Sequence, residues 1–120
     1  MTINYKSFTL GVEEEYMVLD KNTFELKSHE QQIVQEGQKI IKDKVKAEMH
    51  QAVVEVGTNI CQDIDEAYED VALLRKTIHD IATSLDLALG ASGTHPFSHW
   101  ESQLTTDHVR YHEIINELQE

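Results

Sequence analysis

The chain has 120 residues, of which 40% are hydrophobic and 27% charged, a balance typical of a globular protein and not of a disordered one. Its 22 acidic and 10 basic residues give a formal charge of −12, which argues against nucleic-acid and anionic-membrane partners because phosphates would be repelled. The sequence contains no apolar run of the roughly 20 residues that a membrane span needs, and its single cysteine, Cys61, excludes an intrachain disulfide.

These properties predict one domain over residues 1–120 and a cytoplasmic location. The first residues, MTINYKSF, lack the apolar core of a secretory signal, and a lone cysteine agrees with a reducing compartment. The acidic excess favours cations as partners. Such an excess is also common in proteins that are merely soluble, so the positions of the acids must carry any functional argument.

Three consecutive glutamates lie inside a β-type run, FTLGVEEEYMVLD, which belongs to a long strand predicted from about Tyr5 to Asp20. Side chains alternate along a strand, so Glu13 and Glu15 point to one face and Glu14 to the other. Same-face carboxylates about 7 Å apart repel each other unless a cation or protons intervene. A divalent metal would neutralise them. The alternative is a solvated face of an edge strand, where acids discourage aggregation.

The next segments are predicted to form a hairpin and a short helix. Residues 20–23 supply turn chemistry, and the alternating side chains of residues 24–28 predict a second strand paired with the first. Ser28 and Gln31 resemble a capping box, which predicts a short helix that ends at Gly37. Residues 39–46 then read as a basic connector.

A second long strand is predicted from Val45 to Thr58, where the sequence VKAEMHQAVVEVGT is rich in β-branched residues. It brings two further acids, Glu48 and Glu55, whose separation of seven puts them on opposite faces of a regular strand. We therefore predict a bulge or a strong twist that brings the two carboxylates together. Alternatively, one glutamate is internal and the other merely solvated.

The clearest element is an amphipathic helix from Ile64 to Leu85, in which apolar residues recur at alternating steps of three and four. Asp63 and Glu66 form a capping box at its start. A helix of this length suits the back of a sheet. The predicted fold class is therefore α+β, a largely antiparallel sheet covered on one face by a long amphipathic helix.

Two elements follow this helix. Residues 87–94, LALGASGT, combine small residues with two glycines and predict a buried strand or its exit loop. Thr106 or Asp107 is predicted to cap a last helix, whose apolar positions include Val109 and Leu118.

Histidines offer a competing site. His108 and His112 are one helical turn apart and could chelate zinc, with His95 or His99 as a further ligand. Their spacing is not H-E-x-x-H, so structural roles are favoured. No glycine-rich phosphate loop or nucleophile elbow is present in the sequence. Four acids on two predicted strands remain, and oxygen ligands suit Mg²⁺ or Mn²⁺ better than zinc.

Four segments occur in an order that resembles a known family. They are GVEEEYMVLD, EMHQAVVEVGT, GASGTHPFSHW and the pair Arg110 and Tyr111. Together they resemble the start of the bacterial carboxylate-amine ligases of the glutamate-cysteine ligase type 2 family, and the match covers nearly the whole chain. That family is similar to the wider glutamine synthetase and glutamate-cysteine ligase superfamily, whose active site lies on one face of a curved antiparallel sheet. The resemblance thus implies a partial glutamine synthetase-like catalytic fold.

The resemblance also implies roles for individual residues. Glu13 and Glu15 match a first metal-binding pair, and Glu48 and Glu55 match a second. Arg110 matches a catalytic basic position that orients an anionic substrate or a phosphoryl group.

The GTHPF segment of the resemblance includes Thr94 and His95, which match a loop near the substrate side without an assigned role. The implied reaction joins a small-molecule carboxylate to an amine with ATP as co-substrate, through an acyl phosphate. Mg²⁺ or Mn²⁺ is the implied metal, since polyphosphate and carboxylate must be gathered together and their charge neutralised.

Length is where the chain departs from the family, whose members are typically several hundred residues long. We therefore expect an N-terminal fragment or truncated product with little ligase activity by itself. An open sheet edge would favour a homodimer or a higher oligomer. The alternative is a non-catalytic acidic module that binds metal or mediates oligomerisation and has kept only the fold.

Overall fold

Four strands form one antiparallel sheet in this computed structural model, which describes residues 8–118 and, at Trp100, no side chain. In chain order the strands are β1 (Glu13–Asp20), β2 (Val45–Ala47), β3 (Val53–Gly57) and β4 (Leu87–Gly90). Their order across the sheet is β2-β3-β1-β4, and each neighbouring pair is antiparallel. The α-helices are α1 (Glu30–Ile41), α2 (Ile64–Ser84) and α3 (Val109–Leu118). The fold is therefore a small α+β domain with an antiparallel sheet, as the sequence predicts.

Helices α1 and α2 cover one face of this sheet and enclose the core. Ile33 of α1 meets Leu74 and Ile78 of α2 in one cluster of buried side chains. The strands add their inward-facing residues to this cluster: Tyr16, Val18, Val45, Val54, Val56 and Leu87. The predicted long helix does cover one face of the sheet, and it shares that face with α1.

The start of α2 confirms the cap predicted at Asp63, whereas the Glu66 side chain bonds to Gln62 and not to Asp63 as a full capping box requires. The Asp63 carboxylate accepts a hydrogen bond from the Glu66 N–H at 2.9 Å, and the Glu66 carboxylate accepts one from the Gln62 N–H at 2.7 Å. The first of these bonds satisfies a backbone donor that a helix start leaves free. The helix has 21 residues, one fewer than predicted, so its length is about 32 Å.

The first strand is shorter than predicted. It starts at Glu13, and residues 5–7 of the predicted strand lie outside the described part of the chain. Before β1, Leu10 forms an isolated bridge to Cys61, and each backbone N–H donates to the other's carbonyl at 2.8 Å. Cys61 is buried, which agrees with the role of a small apolar residue.

The predicted hairpin after β1 is only partly formed. The Asp20 carboxylate accepts hydrogen bonds from the backbone of the turn, and the returning segment forms an isolated antiparallel bridge between Leu19 and Leu26. The Asp20 N–H donates to the Glu25 carbonyl and the Lys27 N–H to the Val18 carbonyl, both at 2.9 Å, but residues 24–28 do not form a strand. The reason is competition for one edge of β1. The Val18 N–H already donates to the Ala52 carbonyl just before β3, so only the last residues of β1 remain free for the returning chain.

Helix α1 departs from the prediction at both ends. It starts after His29 without a side-chain cap, so the predicted capping box of Ser28 and Gln31 does not form. It continues through Gly37 to Ile41, and the predicted basic connector is partly helix. Gly37 allows close approach instead of ending the helix, because a Cβ there would lie 2.9 Å from Val45 Cγ1.

The predicted second long strand is two strands. β2 and β3 pair with each other, with Val45 opposite Val56 and Ala47 opposite Val54. A continuous strand of 14 residues would be about 46 Å long and would extend far past β1, which has 8 residues. Folding the segment back on itself gives both halves a hydrogen-bonding partner. The bulge predicted between Glu48 and Glu55 is therefore wrong, and a turn takes its place.

The last two elements, β4 and α3, are a strand and a helix, as the sequence predicts. β4 pairs with β1, with Met17 opposite Gly90. The cap of α3 differs from the prediction, because the Arg110 N–H donates to His108 Nδ1 at 3.2 Å. None of the residues of α3 is buried. Across residues 8–118, no helix combines the length and apolarity needed to cross a membrane.

Candidate functional site

The alternation predicted for β1 is present. Tyr16 and Val18 are 3% and 0% exposed beneath the helices, whereas Glu13 and Glu15 are exposed on the opposite face of the sheet. Glu14 points toward α2 and is half-buried there. The strand period therefore separates two carboxylates from the third, as expected for side chains that alternate between faces.

Glu14 takes part in a network that fastens α2 to β1. Its carboxylate forms an ion pair with the Arg75 guanidinium and accepts a hydrogen bond from the Tyr16 hydroxyl. Burial alone would raise the pKa of Glu14, but the hydrogen bonds from Arg75 and Tyr16 hold this pKa below its ordinary value. Glu14 is accordingly a structural residue of the helix-covered face.

The register of the sheet gathers further charges on the uncovered face. Glu15 of β1 is paired with Glu55 of β3, and Glu13 is paired with Gly57. On the outer side of β3, Lys46 of β2 is paired with Glu55. Opposite positions in an antiparallel pair point to the same face with Cβ atoms about 5 Å apart. Two carboxylates and one ammonium therefore flank Glu55.

The pKa of Glu55 lies above its ordinary value, in part because of these neighbouring charges. Burial raises the pKa, the Glu13 charge raises it further, Lys46 opposes the shift, and Glu15 and Glu48 add smaller upward contributions. The other three predicted metal-ligating glutamates thus lie within electrostatic reach of the Glu55 carboxyl group. We call Glu13, Glu15, Glu48 and Glu55 the acidic face.

A tertiary contact, and not a strand, positions Glu48. The Thr106 hydroxyl donates to the Glu48 carbonyl, and the Thr106 N–H donates to the Met49 carbonyl at 2.7 Å. The Gln51 N–H donates to the Leu104 carbonyl at 2.9 Å. Residues 104–106 therefore fix the turn between β2 and β3 and place Glu48 beside the acidic strands.

A cavity of about 340 Å³ lies at this end of the acidic face. Glu15 and Glu48 supply its carboxylates. Its apolar wall consists of Met17, Leu26, Ala52 and Val53, and its remaining lining is polar or small: His50, Ser92, Gly93, Thr94, His95, Ser98, His99 and Gln103. No lysine or arginine of the described chain lines the cavity. No sequence pattern indicates His50, because the segment that carries it is predicted to be a strand and the structure has a turn there.

His95 closes one wall of the cavity. Its Nδ1 accepts hydrogen bonds from the N–H groups of Ser98 at 3.0 Å and Phe97 at 3.3 Å. Its Nε2 therefore carries the proton and donates to the Phe24 carbonyl at 2.8 Å. These bonds tie the 92–98 loop to the segment after β1. His95 holds the loop, and through it Thr94, against the acidic side of the sheet.

The donor set of the acidic face fits a hard divalent cation in its chemistry, since carboxylate oxygens are the ligands that Mg²⁺ and Mn²⁺ prefer. In the arrangement of residues 8–118, however, no three His, Cys, Asp or Glu side chains converge closely enough to hold a metal ion. Glutamate side chains have several rotatable bonds, so binding requires them to turn toward one another. The register of the strands brings the glutamate side chains near one another. Their rotamers would have to change before the carboxylate oxygens could coordinate one ion.

The other predicted site residues lie outside the cavity. Arg110 is exposed in the first turn of α3. The His108 ring lies against Tyr111, with a centroid distance of 5.2 Å, whereas His112 Nε2 contacts Asp107 at 3.1 Å. The two histidines of the predicted zinc pair therefore have different partners.

A larger groove of about 900 Å³ lies on the helix side of the sheet. Its lining is mostly apolar and includes Leu10, Ile64, Tyr68 and Leu89, with Arg75 at its edge. Although it is larger, we place the candidate site in the cavity beside the acidic face, because that cavity contains carboxylates from two segments and the groove contains none.

Comparison with known proteins supplies independent information. The family model described as Glutamate-cysteine ligase family 2 matches residues 9–120. A protein of Herpetosiphon aurantiacus named "Putative glutamate--cysteine ligase 2" is 48% identical over 113 residues, covering 94% of this chain and 29% of that protein. Proteins of the same name from Chloroflexus aurantiacus and Roseiflexus castenholzii are each 45% identical, covering 95% and 94% of this chain and 29% and 30% of theirs. The chain thus spans less than a third of the length of these relatives.

Proposed function

Because the chain belongs to glutamate-cysteine ligase family 2, we propose that it carries the metal-binding face of an ATP-dependent carboxylate-amine ligase. Glu13 and Glu15 would form one pair of Mg²⁺ or Mn²⁺ ligands, and Glu48 and Glu55 the other. The observation that supports this assignment best is the register of the sheet, which pairs Glu15 with Glu55 and puts Glu13 beside them, with Glu48 also within electrostatic reach of Glu55.

In the proposed reaction, an oxygen of the substrate carboxylate attacks the γ-phosphorus of ATP, and the bond to the β-phosphate breaks to release ADP. The amine nitrogen then attacks the carbonyl carbon of the acyl phosphate. Phosphate leaves with the bonding electrons, and the nitrogen gives its proton to water. Bound Mg²⁺ or Mn²⁺ would neutralise the charges of polyphosphate and carboxylate.

The residues of this chain would bind and orient the reactants. The glutamates of the acidic face would hold the cations without forming covalent bonds themselves. Arg110 would orient an anionic substrate or the phosphoryl group, because guanidinium matches the geometry of carboxylate and phosphate oxygens. Thr106, which hydrogen-bonds to the backbone at Glu48, links the segment before Arg110 to the acidic face.

Several wider expectations belong to the same proposal. The sheet would be part of a glutamine synthetase-like catalytic fold, and the protein would act in the cytoplasm. Since the chain spans only 29–30% of the relatives described above, these residues by themselves would supply part of a site.

Isothermal titration with Mg²⁺ and with Mn²⁺, in the presence and absence of ATP, tests the proposal. Metal binding that ATP strengthens is expected, and Glu13→Gln or Glu55→Gln should weaken it by about tenfold or more. Glu69→Gln is the matched control, because Glu69 is exposed on α2 and lies outside the acidic face. Equal metal affinity in the wild type and both acidic-face variants would contradict the proposal.

A second candidate is a non-catalytic module that binds metal or assembles through its sheet. The observation in its favour is that β4 pairs only with β1 among the described strands, which leaves an edge for another strand. Sedimentation analysis separates the two candidates. Tight self-association without metal binding would favour the module, whereas metal binding that ATP strengthens would favour the ligase.

A further inference from the structure

The groove of about 900 Å³ on the helix side of the sheet carries a further inference. We call it the helix-side groove; α2, β4 and the segment before β1 line it. Ile64 and Tyr68 of α2 are 74% and 75% exposed in this lining, and Leu10 is exposed as well. Large apolar side chains that are exposed together on one surface mark a site of interaction.

Helix α2 has a second apolar stripe, which lines this groove. The first stripe contains Leu74 and Ile78 and is buried in the core. The second contains Ile64, Tyr68 and Val71, at steps of four and three, and none of these three is buried. A helix that packs against one layer needs only one such stripe. The second stripe therefore indicates a further packing partner.

The charge of the groove differs from that of the whole chain. Although the sequence has 22 acidic residues, no carboxylate within residues 8–118 lines the groove. Its lining does include Arg75, which is paired with Glu14, and Lys76, which is paired with Asp80 on the surface of α2. Two acidic chains repel each other least where the contact surface lacks carboxylates. The groove is therefore a surface that a second copy of this chain can approach.

Helix α3 has the amphipathic character that such a groove accepts. Its apolar stripe has members at positions i, i+3, i+4 and i+7: Tyr111, Ile114, Ile115 and Leu118. None of them is buried, and Leu118 is 81% exposed. Helices that bind in apolar grooves use this spacing for their anchoring side chains. The apolar face of α3 is thus available to a partner.

The α3 of the same chain does not lie in the groove. No residue after Ala91 is part of the lining, within the described part of the chain. The Thr106 N–H donates to the Met49 carbonyl and ties the segment before α3 to the turn between β2 and β3. β2 and β4 are at opposite edges of the sheet. An α3 that fills the groove while this contact is kept therefore comes from a second molecule.

We propose that the helix-side groove is an interface between two copies of this chain, in which α3 of one copy binds against Ile64, Tyr68 and Leu89 of the other. The proposal does not depend on the ligase function, because the acidic face takes no part in it. It also differs from assembly through the free edge of β4, which would leave α3 without a partner.

The area that α3 can bury favours a reciprocal dimer. One tyrosine and three aliphatic side chains bury at most about 450 Å² on α3, or about 900 Å² when both partners are counted. Specific interfaces between proteins bury about 1,200–2,000 Å². Two such contacts related by a twofold axis reach this range, whereas a single contact does not. Each copy would then donate its α3 and accept that of its partner.

Sedimentation velocity without metal or ATP tests the proposal. The wild type should sediment as a dimer at about 0.1 mM protein. Tyr68→Ser in the groove and Leu118→Ser on α3 should each raise the dissociation constant of the dimer by about tenfold or more, because each removes apolar area from both contacts of a reciprocal dimer. A wild type that is monomeric at this concentration, or a dimer that neither substitution weakens, would overturn the proposal.

Each variant has a matched control on its own helix. Leu73 is an exposed apolar residue of α2 outside the groove, and Val109 is an exposed apolar residue of α3 outside the stripe. Leu73→Ser and Val109→Ser should dimerise as the wild type does. All four substituted side chains are more than half exposed, so circular dichroism should show the native fold in every variant. Equal weakening of the dimer by the controls would refute the assignment to this interface.

NMR on a mixture of ¹³C-labelled and unlabelled chains identifies the surfaces that meet. Isotope-filtered NOEs should connect the Ile114 and Ile115 methyl groups of one copy with the Tyr68 ring of the other. NOEs between the β4 strands of two copies, with none at α3, would mean assembly through the sheet edge and would contradict the proposal. Because metal and ATP are omitted, this self-association can succeed where metal binding fails.

Discussion

Glu14 and Glu55 show how the face of a sheet sets the chemistry of a carboxyl group. Burial acts on both groups first and raises both pKa values. Arg75 and Tyr16 then donate hydrogen bonds to Glu14 and bring its pKa below the ordinary value, whereas the charge of Glu13 raises the pKa of Glu55 further. Identical side chains on adjacent strands therefore have opposite shifts because their neighbours differ in charge.

Glu55→Gln tests this assignment through the pH dependence of stability. The pKa of Glu55 lies above its ordinary value of 4.5, so the folded state binds this proton more tightly than the unfolded state does. Its stabilising contribution is complete below that ordinary value and is lost as the pH rises through the folded-state pKa. The free energy of unfolding of the wild type, relative to that of Glu55→Gln, should therefore fall as the pH rises above the ordinary value of 4.5.

Urea denaturation followed by circular dichroism at several pH values measures this difference. Glu69→Gln on α2 serves as the control, and its unfolding free energy should run parallel to that of the wild type. If the difference between the wild type and Glu55→Gln does not change with pH, Glu13, Glu15 and Glu48 do not raise the pKa of Glu55 as described.

At the level of elements, α2 holds the sheet from one side through a narrow apolar stripe. Leu74 and Ile78 are 1% and 0% exposed, whereas Leu73, one position away from Leu74, is 57% exposed. The polar outer face of α2 contributes little to the core. The stripe therefore dominates the stability that α2 confers.

Leu74→Ala is expected to lower the free energy of unfolding by about 2 to 5 kcal/mol, because it opens a cavity in the core. Leu73→Ala, on the same helix, should change it by no more than about 0.5 kcal/mol. Chemical denaturation of both variants measures the difference. Similar effects for the two leucines would mean that α2 does not cover the sheet.

Gly37→Ala is expected to lower the free energy of unfolding, although alanine has a higher helix propensity than glycine. In a helix interior, alanine is generally favoured over glycine by about 1 kcal/mol. At Gly37 the new Cβ would lie 2.9 Å from Val45 Cγ1, a methyl group of a fully buried residue on β2. The overpacking should cost about 1 to 3 kcal/mol.

Thermal and urea denaturation check the sign of this effect. Gln38→Ala, at the next and exposed position of α1, should leave stability within about 0.5 kcal/mol of the wild type. A more stable Gly37→Ala variant would show that α1 and β2 can move apart without a loss of stability.

At the scale of the whole molecule, one face of the sheet packs against the core and the other carries the residues of the proposed site. One face is occupied by α1 and α2, and the other presents the acidic face and the cavity. The net charge of −12 is thus partly concentrated where cations are expected to bind. Burying the uncompensated acids beneath the helices would cost far more than exposing them, which is consistent with this division.

The short length gives a prediction about activity. The 120 residues alone should show little amine-dependent release of ADP from ATP, since they span less than a third of the relatives they match. A coupled assay for ADP with L-glutamate and L-cysteine measures this rate, with Glu13→Gln as the background. A rate comparable to that of a relative of full length, assayed in parallel, would contradict it.

Local patterns in the sequence were sufficient for several features. The alternation of Glu13, Glu14 and Glu15 between faces follows from the two-residue period of a strand, which holds wherever a strand forms. The cap at Asp63 and the apolar stripe of α2 are likewise read within a few neighbouring residues. The α+β class and the family resemblance rest on such local patterns taken in order.

Only the tertiary structure decided the rest, because it depends on competition between segments far apart in the chain. β3 and residues 24–28 compete for one edge of β1, and no local pattern says which will take most of it. Residues 104–106 fix the turn that carries Glu48 and His50, although more than 50 residues separate them. The sequence by itself therefore determined which residues carry charge and to which face of a strand they point. The pairing of distant strands determined that Glu13, Glu15 and Glu55 lie near one another, and the contact with residues 104–106 added Glu48, since hydrogen-bonding partners are allotted only when the whole fold assembles.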